Sequence, residues 1–461
     1  WLRFVPWATR CSVASIPPGC WRLVLNRFAE LASQAPAAGC VGCPRVIRLG
    51  DDHSALSHDV MTEVRPSAEA LSWSALAALA PPSAERVEGP ANAQADLRLF
   101  GQPKDSVRVT LFRDHHAWCP YCQKVWLWLE FRRIPYRIRK VTMRCYGPKE
   151  LWFTALVPSG MLPALELDGR LITESDRILE SLERSFGPVG APMADRRVRR
   201  LRDLERLLFR AWCIWLCTPG LGERQELQAR DQFQRVALQM EQALVSGEGR
   251  WLDPDAPDGP IPGTADLVFI PYVERMNASL AYFKGFALRQ EHPEIDRWLT
   301  ALEQLETYRG TQSDVHTHAH DLPPQMGGCW ADGSPAQQRM ALAVDTGAGL
   351  GELERRWNCS GTAVSPDARA LERVLKHRVT LLARNPLGDR FDQPLRAALT
   401  GMIQGQPVKP EKGSASALRY LRDRISVPRD MPLESARLLR QVLESTAALD
   451  SDHHSDALPF E

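Results

Sequence analysis

The 461-residue sequence has no stretch of about 18 consecutive apolar residues, so a membrane-spanning helix is excluded by length of apolar run. It also has almost no charge excess. The 57 Lys plus Arg against 56 Asp plus Glu leave +1, which gives the whole chain no electrostatic draw toward nucleic acid or an anionic membrane. Cysteine is sparse: 11 residues are too few for a disulfide scaffold, and the odd count fits a reducing compartment with a few chemically used thiols. Gly at 30 and Pro at 35 stay below a disordered composition. What remains is ordinary globular material, 44% hydrophobic and 25% charged. At about three times a typical domain length, the chain has room for two or three domains.

Residues 1–68 read as a leader or disordered extension. Up to Phe28 they carry Arg3, Arg10, Arg22 and Arg27 and no acid, which suits either an organelle transit peptide or an unstructured segment. The CxxC at Cys40-Val41-Gly42-Cys43 has no second pair nearby and no strand-then-helix setting, so it carries little on its own. Residues 69–105 read as a short helix, Glu69–Leu79, ending at Pro81-Pro82, and a linker.

From residue 106 strands and helices alternate. Val107–Phe112 is a β-branched strand, Pro120–Arg132 a Trp- and Leu-rich helix, and Tyr136–Val141 a second strand. Lys149–Ala155 is a helical turn or two, and Ala164–Leu167 and Leu171–Thr173 are strands joined by the hairpin signal Asp168-Gly169. A helix follows from Glu174 to Arg184. The order β-α-β-α-β-β-α points to the thioredoxin fold. Its chemistry sits in Cys119-Pro120-Tyr121-Cys122, at the junction of strand and helix. Pro120 suits the first helical turn, where its missing N–H has no partner to lose. The unpaired N–H groups and the positive dipole end favour a thiolate at Cys119. Cys122, one turn inward, is placed to resolve a mixed disulfide formed on Cys119. Lys124 adds positive field or is simply solvated.

Three separated motifs give a specific resemblance: CPYC at Cys119–Cys122, VPSGMLPALELDG at Val157–Gly169, and ITESD at Ile172–Asp176. Together they resemble the N-terminal domain of cysteine-type glutathione transferases, the omega, lambda and dehydroascorbate-reductase-like group, whose fold and CPYC motif the glutaredoxins share. The longer pattern is similar to a long-tailed cyanobacterial and algal branch. The resemblance implies a cis Pro163 that turns the backbone of Leu162 toward glutathione, with Pro120 and Tyr121 beside it. It further implies that Glu174 and Ser175 hold the γ-glutamyl end, and that Lys149 contacts glutathione.

The expected architecture is therefore an α/β thioredoxin-like glutathione domain over 106–186, a linker over 187–195 and an all-helical transferase domain over 196–310. A His-rich loop over 311–330 and a helical extension with a disordered tail over 331–461 complete it. Leu201, Leu204, Leu207 and Leu208 share one helical face. Gly263 stands where these proteins usually place a capping Ser or Thr, three residues before Asp266, which puts local rigidity in doubt. Tyr272, Arg275 and Met276 are candidates for a second-substrate pocket or for core. Cys213 and Cys217, one turn apart, read as core thiols, while Cys145 and Cys359 show no partner spacing. His316, His318 and His320 alternate, and on an extended chain would share one side as weak metal candidates; no metal is expected. In the extension, Leu371, Val374, Leu375, Val379 and Leu382 make one helical face.

The functional expectation is a glutathione-dependent thiol transferase or thiol-disulfide oxidoreductase in which Cys119 forms a mixed disulfide with glutathione. Its partners would be glutathione and a small electrophile, disulfide or glutathionylated substrate. A homodimer is compatible with the resemblance; nucleic acid and integral membrane association are not expected. The location is cytoplasmic, or an organelle stroma or matrix if residues 1–30 are a transit peptide. Two alternatives stand beside this: a non-enzymatic transferase-like interaction module, and a metal-handling protein acting through His316, His318 and His320.

Overall fold

A computed structural model describes residues 69–450, apart from 248, 254, 256–258 and 348–363. The leader, its CxxC, Cys359 and the acidic tail beyond Asp450 lie outside the described residues.

The first α/β layer follows the alternating pattern. Strand β2 (Val109–Asp114) pairs in parallel with β3 (Tyr136–Val141) and antiparallel with β4 (Ala164–Leu167), which turns into β5 (Arg170–Thr173). The turn is built by Asp168 and Gly169, both at positive φ, 51° and 78°, as a two-residue hairpin of primed type requires. β2 is central in the sheet, and five of its six residues are buried, Arg113 and Asp114 among them. Helices α2 (Pro120–Phe131), α3 (Leu151–Leu156) and α4 (Ser175–Phe186) complete the unit. A fifth strand, β1 (Leu97–Arg98), adds antiparallel to the outer edge of β3. The linker reading over 69–105 misses it, because two residues have no periodicity to detect. Arg98 anchors this edge in a buried ion pair with Glu130 at 2.9 Å, and the Tyr136 hydroxyl donates to the same carboxylate at 2.6 Å.

The second layer is all helix: α5 (Arg196–Cys217), α6 (Glu223–Ser246), α7 (Thr264–Lys284), and the shorter α8 (Leu288–Glu291), α9 (Pro293–Glu303) and α10 (Glu306–Arg309). α7 is buried around nearly its whole circumference, as a helix at the centre of a domain must be. Leu208 lies in the core, but Leu207 turns outward, so the α5 face is narrower than the sequence suggests. Gly263 costs no rigidity. The Asp266 carboxylate accepts from the backbone N–H groups of Gly263, Leu252 and Asp253 and from Trp298 Nε1, all within 3.1 Å. A Cβ on residue 263 would lie 2.0 Å from the Asp253 carboxylate, so only glycine fits.

The segment expected as a His-rich loop is instead a helix, α11 (Val315–Met326), capped by Asp314, whose side chain accepts from Thr317 N at 2.9 Å. It packs on α7 with α12 (Pro335–Thr346). Four further helices, α13 (Pro366–Arg384), α14 (Asp392–Gln404), α15 (Ala415–Arg424) and α16 (Leu433–Ala448), share a core that includes Leu371, Leu395, Leu418 and Leu439. Val379, read into the α13 face, is exposed because only the first half of α13 is covered. The same core contains Leu76 of α1 (Trp73–Leu79), which is capped by Ser72 and begins at Trp73 rather than at Glu69. Trp73 Nε1 donates to Asp392 at 2.6 Å and Leu71 N to Thr400 Oγ1 at 2.9 Å. The N-terminal helix is therefore part of the C-terminal helical unit.

Candidate functional site

Cys119 is the N-cap residue of α2, with Pro120 at the first helical position, and its Sγ accepts the backbone N–H of Cys122 at 3.4 Å. Cys119 and Cys122 are only 6% and 1% exposed, in a cluster with Trp118 and Met143, and Tyr121, Cys145 and Leu162 pack against it. Burial, reinforced by its hydrogen-bonded neighbour Cys119, pushes the Cys122 thiol well up, so it is protonated at neutral pH. Cys145 lacked any partner spacing in the sequence, yet the chain returns it to this cluster, where burial pushes its thiol up to about 12.

Asp114 closes the buried side. Its Oδ2 accepts from Trp118 N at 2.7 Å, its Oδ1 is buried without a hydrogen-bond partner, and its carboxylate and the two sulfurs lie within 4.8 Å of one another. Sequence reading gave Asp114 no role; its place at the end of the strand feeding a CxxC was the available signal.

The remaining glutathione candidates surround this point. Leu162–Pro163 is a cis peptide bond, and Pro163 is buried at the start of β4. Glu174, at the entry to α4, is a non-glycine residue at φ 68°, a strained conformation of the kind that clusters at ligand-binding sites. Ser175 follows it, buried at the helix start. Lys149 donates to Thr142 O at 2.9 Å; burial pulls its pKa down, against the opposing field of Cys122 and Cys119. Lys124 is buried and ion-paired with Asp176 at 2.6 Å. Burial pulls the Asp176 carboxyl up, but Lys124 and Arg202 outweigh it and hold the group well below the usual carboxylate range.

The second-substrate candidates do not line an open cleft. Tyr272, Arg275 and Met276 are each 1% exposed within α7. Tyr272 stacks edge-on against Tyr121 at 5.8 Å. Arg275 donates to Trp118 O, to Gln123 Oε1 at 2.8 Å and to Pro271 O, joining α7 to the residue just before Cys119. The adjacent Glu274 accepts from Gln123 Nε2 at 3.0 Å and meets His318 Nε2 at 2.7 Å. His318 is thus committed to the core, and α11 turns it away from His316 and His320.

The roof over Trp118 comes from the C-terminal extension. Trp118 Nε1 donates to Val427 O at 3.2 Å, and the Val427 N–H donates to Thr317 Oγ1 at 3.1 Å. His116 stacks on Trp118 at 4.6 Å and is buried; burial, then His115 and Arg429, push its pKa down to about 3.

A CxxC at a helix cap, a buried carboxylate behind it and a cis-proline beside it, on a thioredoxin-like sheet joined to a helical domain, define a thiol protein of the transferase architecture. Residues 118–185 match the family described as glutathione S-transferase, N-terminal domain. Among the proteins it resembles, glutathione S-transferase DHAR3, chloroplastic, of Arabidopsis thaliana is 22% identical over 199 residues, covering 43% of this chain and 70% of that protein. Human chloride intracellular channel protein 3 is 22% identical over 231 residues, covering 48% of this chain and 92% of its own length. The dehydroascorbate reductase of Chlamydomonas reinhardtii, a solved structure, aligns with 44% of this chain and 93% of its own at a TM-score of 0.36 and 19% identity. No helix among the described residues is long and apolar enough to cross a membrane.

Proposed function

We propose that this protein is a glutathione-dependent thiol transferase in which the Cys119 thiolate attacks a disulfide or a glutathione mixed disulfide. The observation that carries the reading is the cap geometry: the Cys119 sulfur takes the N–H of Cys122 at the mouth of α2, where a developing thiolate is favoured. With oxidised glutathione, the Cys119–S–SG bond forms as the S–S bond of the substrate breaks and one glutathione thiolate leaves. A second glutathione then attacks the adduct, returning Cys119 as thiolate and regenerating the disulfide of glutathione. Cys122 is the slower alternative resolver, since its buried thiol must first lose a proton, for which Asp114 is the nearby acceptor.

Glutathione is placed by Leu162 and Pro163 at its cysteinyl part, by Glu174 and Ser175 at its γ-glutamyl end, and by Lys149. A cysteine suits exchange and deglutathionylation better than conjugation, for which a hydroxyl that stabilises the glutathione thiolate is the better tool. Two named similarities, to dehydroascorbate reductases and glutathione transferases, support enzyme chemistry. The burial of both thiols and the packed residues of α7 favour a second reading, a transferase-like interaction module. Reduced protein incubated with oxidised glutathione separates the two by intact mass. One adduct mapping to Cys119, reversed by excess glutathione and absent in Cys119→Ser, is expected; no adduct and no Cys119–Cys122 disulfide would remove the enzyme reading.

A further inference from the structure

The histidine motif divides in an unexpected way. On α11 the spacing of four residues puts His316 and His320 on one face, while His318 points into the core against Glu274. The first two meet a residue the sequence gives no reason to choose: Asp345, near the end of α12. One ring nitrogen each from His316 and His320 and one Asp345 oxygen lie within 4.8 Å of one another. The imidazole centroids are 4.5 Å apart, and His320 Nε2 is 2.9 Å from Asp345 Oδ1.

We propose that His316, His320 and Asp345 form a binding site for a divalent transition-metal ion of the zinc class. Two imidazoles on one helical face and a carboxylate from the neighbouring helix are the donors such an ion prefers, with the fourth position left for water. In a tetrahedral site with bonds of about 2.0–2.1 Å, donor atoms stand roughly 3.4 Å apart. The donors therefore need to close by little more than an ångström, within reach of side-chain rotation.

The surroundings suit the assignment. His316 is buried and fixes the inner position, whereas the side chains of His320 and Asp345 are 40% and 42% exposed and give the ion a path from solvent. The other Asp345 oxygen accepts from the Tyr282 hydroxyl at 3.2 Å, which orients the carboxylate. The arginines whose fields reach His316 are compensated: Arg440 pairs with Asp314 at 3.3 Å, and Arg422 with Asp423 at 2.6 Å and with Glu444. The bound ion would replace the direct His320–Asp345 contact and clamp α11 to α12.

The test uses the full chain, freed of metal with a chelator, in a Cys119→Ser/Cys122→Ser background. That background removes the other compact donor group among the described residues, Asp114 with the two thiols. Titration with Co2+ and Zn2+ is expected to show one equivalent bound, a cobalt spectrum without a thiolate charge-transfer band, and an unfolding midpoint raised by Zn2+. His320→Gln and Asp345→Asn, both at exposed positions, should each weaken binding at least tenfold and abolish the zinc-induced rise. No binding, a thiolate band, or affinity that survives either substitution undiminished would overturn the assignment. The glutathione adduct on Cys119 is read separately in the parent chain, so the two proposals fail independently.

Discussion

Arg275 is the side chain through which the helical domain holds the start of α2, and Arg275→Met measures that hold. Methionine keeps most of the aliphatic stem and loses the charge and the donors. Three acceptors are affected: the Trp118 carbonyl, Gln123 Oε1 and the Pro271 carbonyl, with Arg275 itself 1% exposed. Hydrogen bonds from a charged donor are each worth about 1.5–3 kcal/mol, partly offset because methionine escapes the cost of burying a guanidinium. The net loss is expected at about 3 kcal/mol, read as a lower urea midpoint at unchanged slope. Arg275→Lys retains a charge but cannot span all three acceptors, and should lose about 1–2 kcal/mol. Both variants should slow adduct formation on Cys119 under conditions where they remain folded, since the Trp118 carbonyl immediately precedes the proposed nucleophile. An Arg275→Met protein within about 0.5 kcal/mol of the parent would refute the assignment of Arg275 as the inter-domain pin.

Three further outcomes follow from the same geometry. Cys122→Ser should still accumulate a single glutathione on Cys119 and release it to added glutathione; loss of the adduct in this variant would make Cys122 part of the nucleophilic step. Glu174→Gly relieves a backbone at φ 68° and should raise stability by up to about 1 kcal/mol. The same change should weaken glutathione binding about tenfold, checked by denaturation and calorimetry together. His116 has a folded pKa of about 3 against an ordinary 6.5, so below pH 6.5 the unfolded chain binds the extra proton first. Its contribution is complete above that pH and is lost as pH falls, at up to about 1.4 kcal/mol per unit. His116→Phe should flatten acid unfolding between pH 6 and 4, and identical slopes would show that another group controls it.

The thioredoxin-like unit was legible because its signals are local. A β-branched run, CPYC at a helix start, and an Asp168-Gly169 turn each act over a few residues. The central strand β2 was slightly misplaced, ending at Asp114 rather than Phe112, and with it Asp114 was overlooked as part of the site. What sequence could not supply was pairing across distance. Two-residue β1 has no period, and α1 finds its partners more than 300 residues away. Tyr272, Arg275 and Met276 occupied plausible cleft positions on a helix that is buried around nearly its whole circumference, where Tyr272 packs on Tyr121 and Arg275 reaches Trp118 and Gln123 at the start of α2. The alternating histidines suggested period two. The Asp314 cap imposed a helix, which separated His318 from its neighbours and brought in Asp345 instead.

The stitching of α1 into the last helices sets an order of events during synthesis. Trp73 leaves the ribosome 319 residues ahead of Asp392, its hydrogen-bond partner. At about 5–20 residues per second, that interval is roughly 15–60 s. Throughout it Leu76 has no core to enter and Trp118 has no Val427 carbonyl to meet. Cys119 and Cys122 therefore emerge before their roof exists. The two thiols are more open to solvent in the nascent chain than in the folded one, and the arrival of Val427 completes their enclosure.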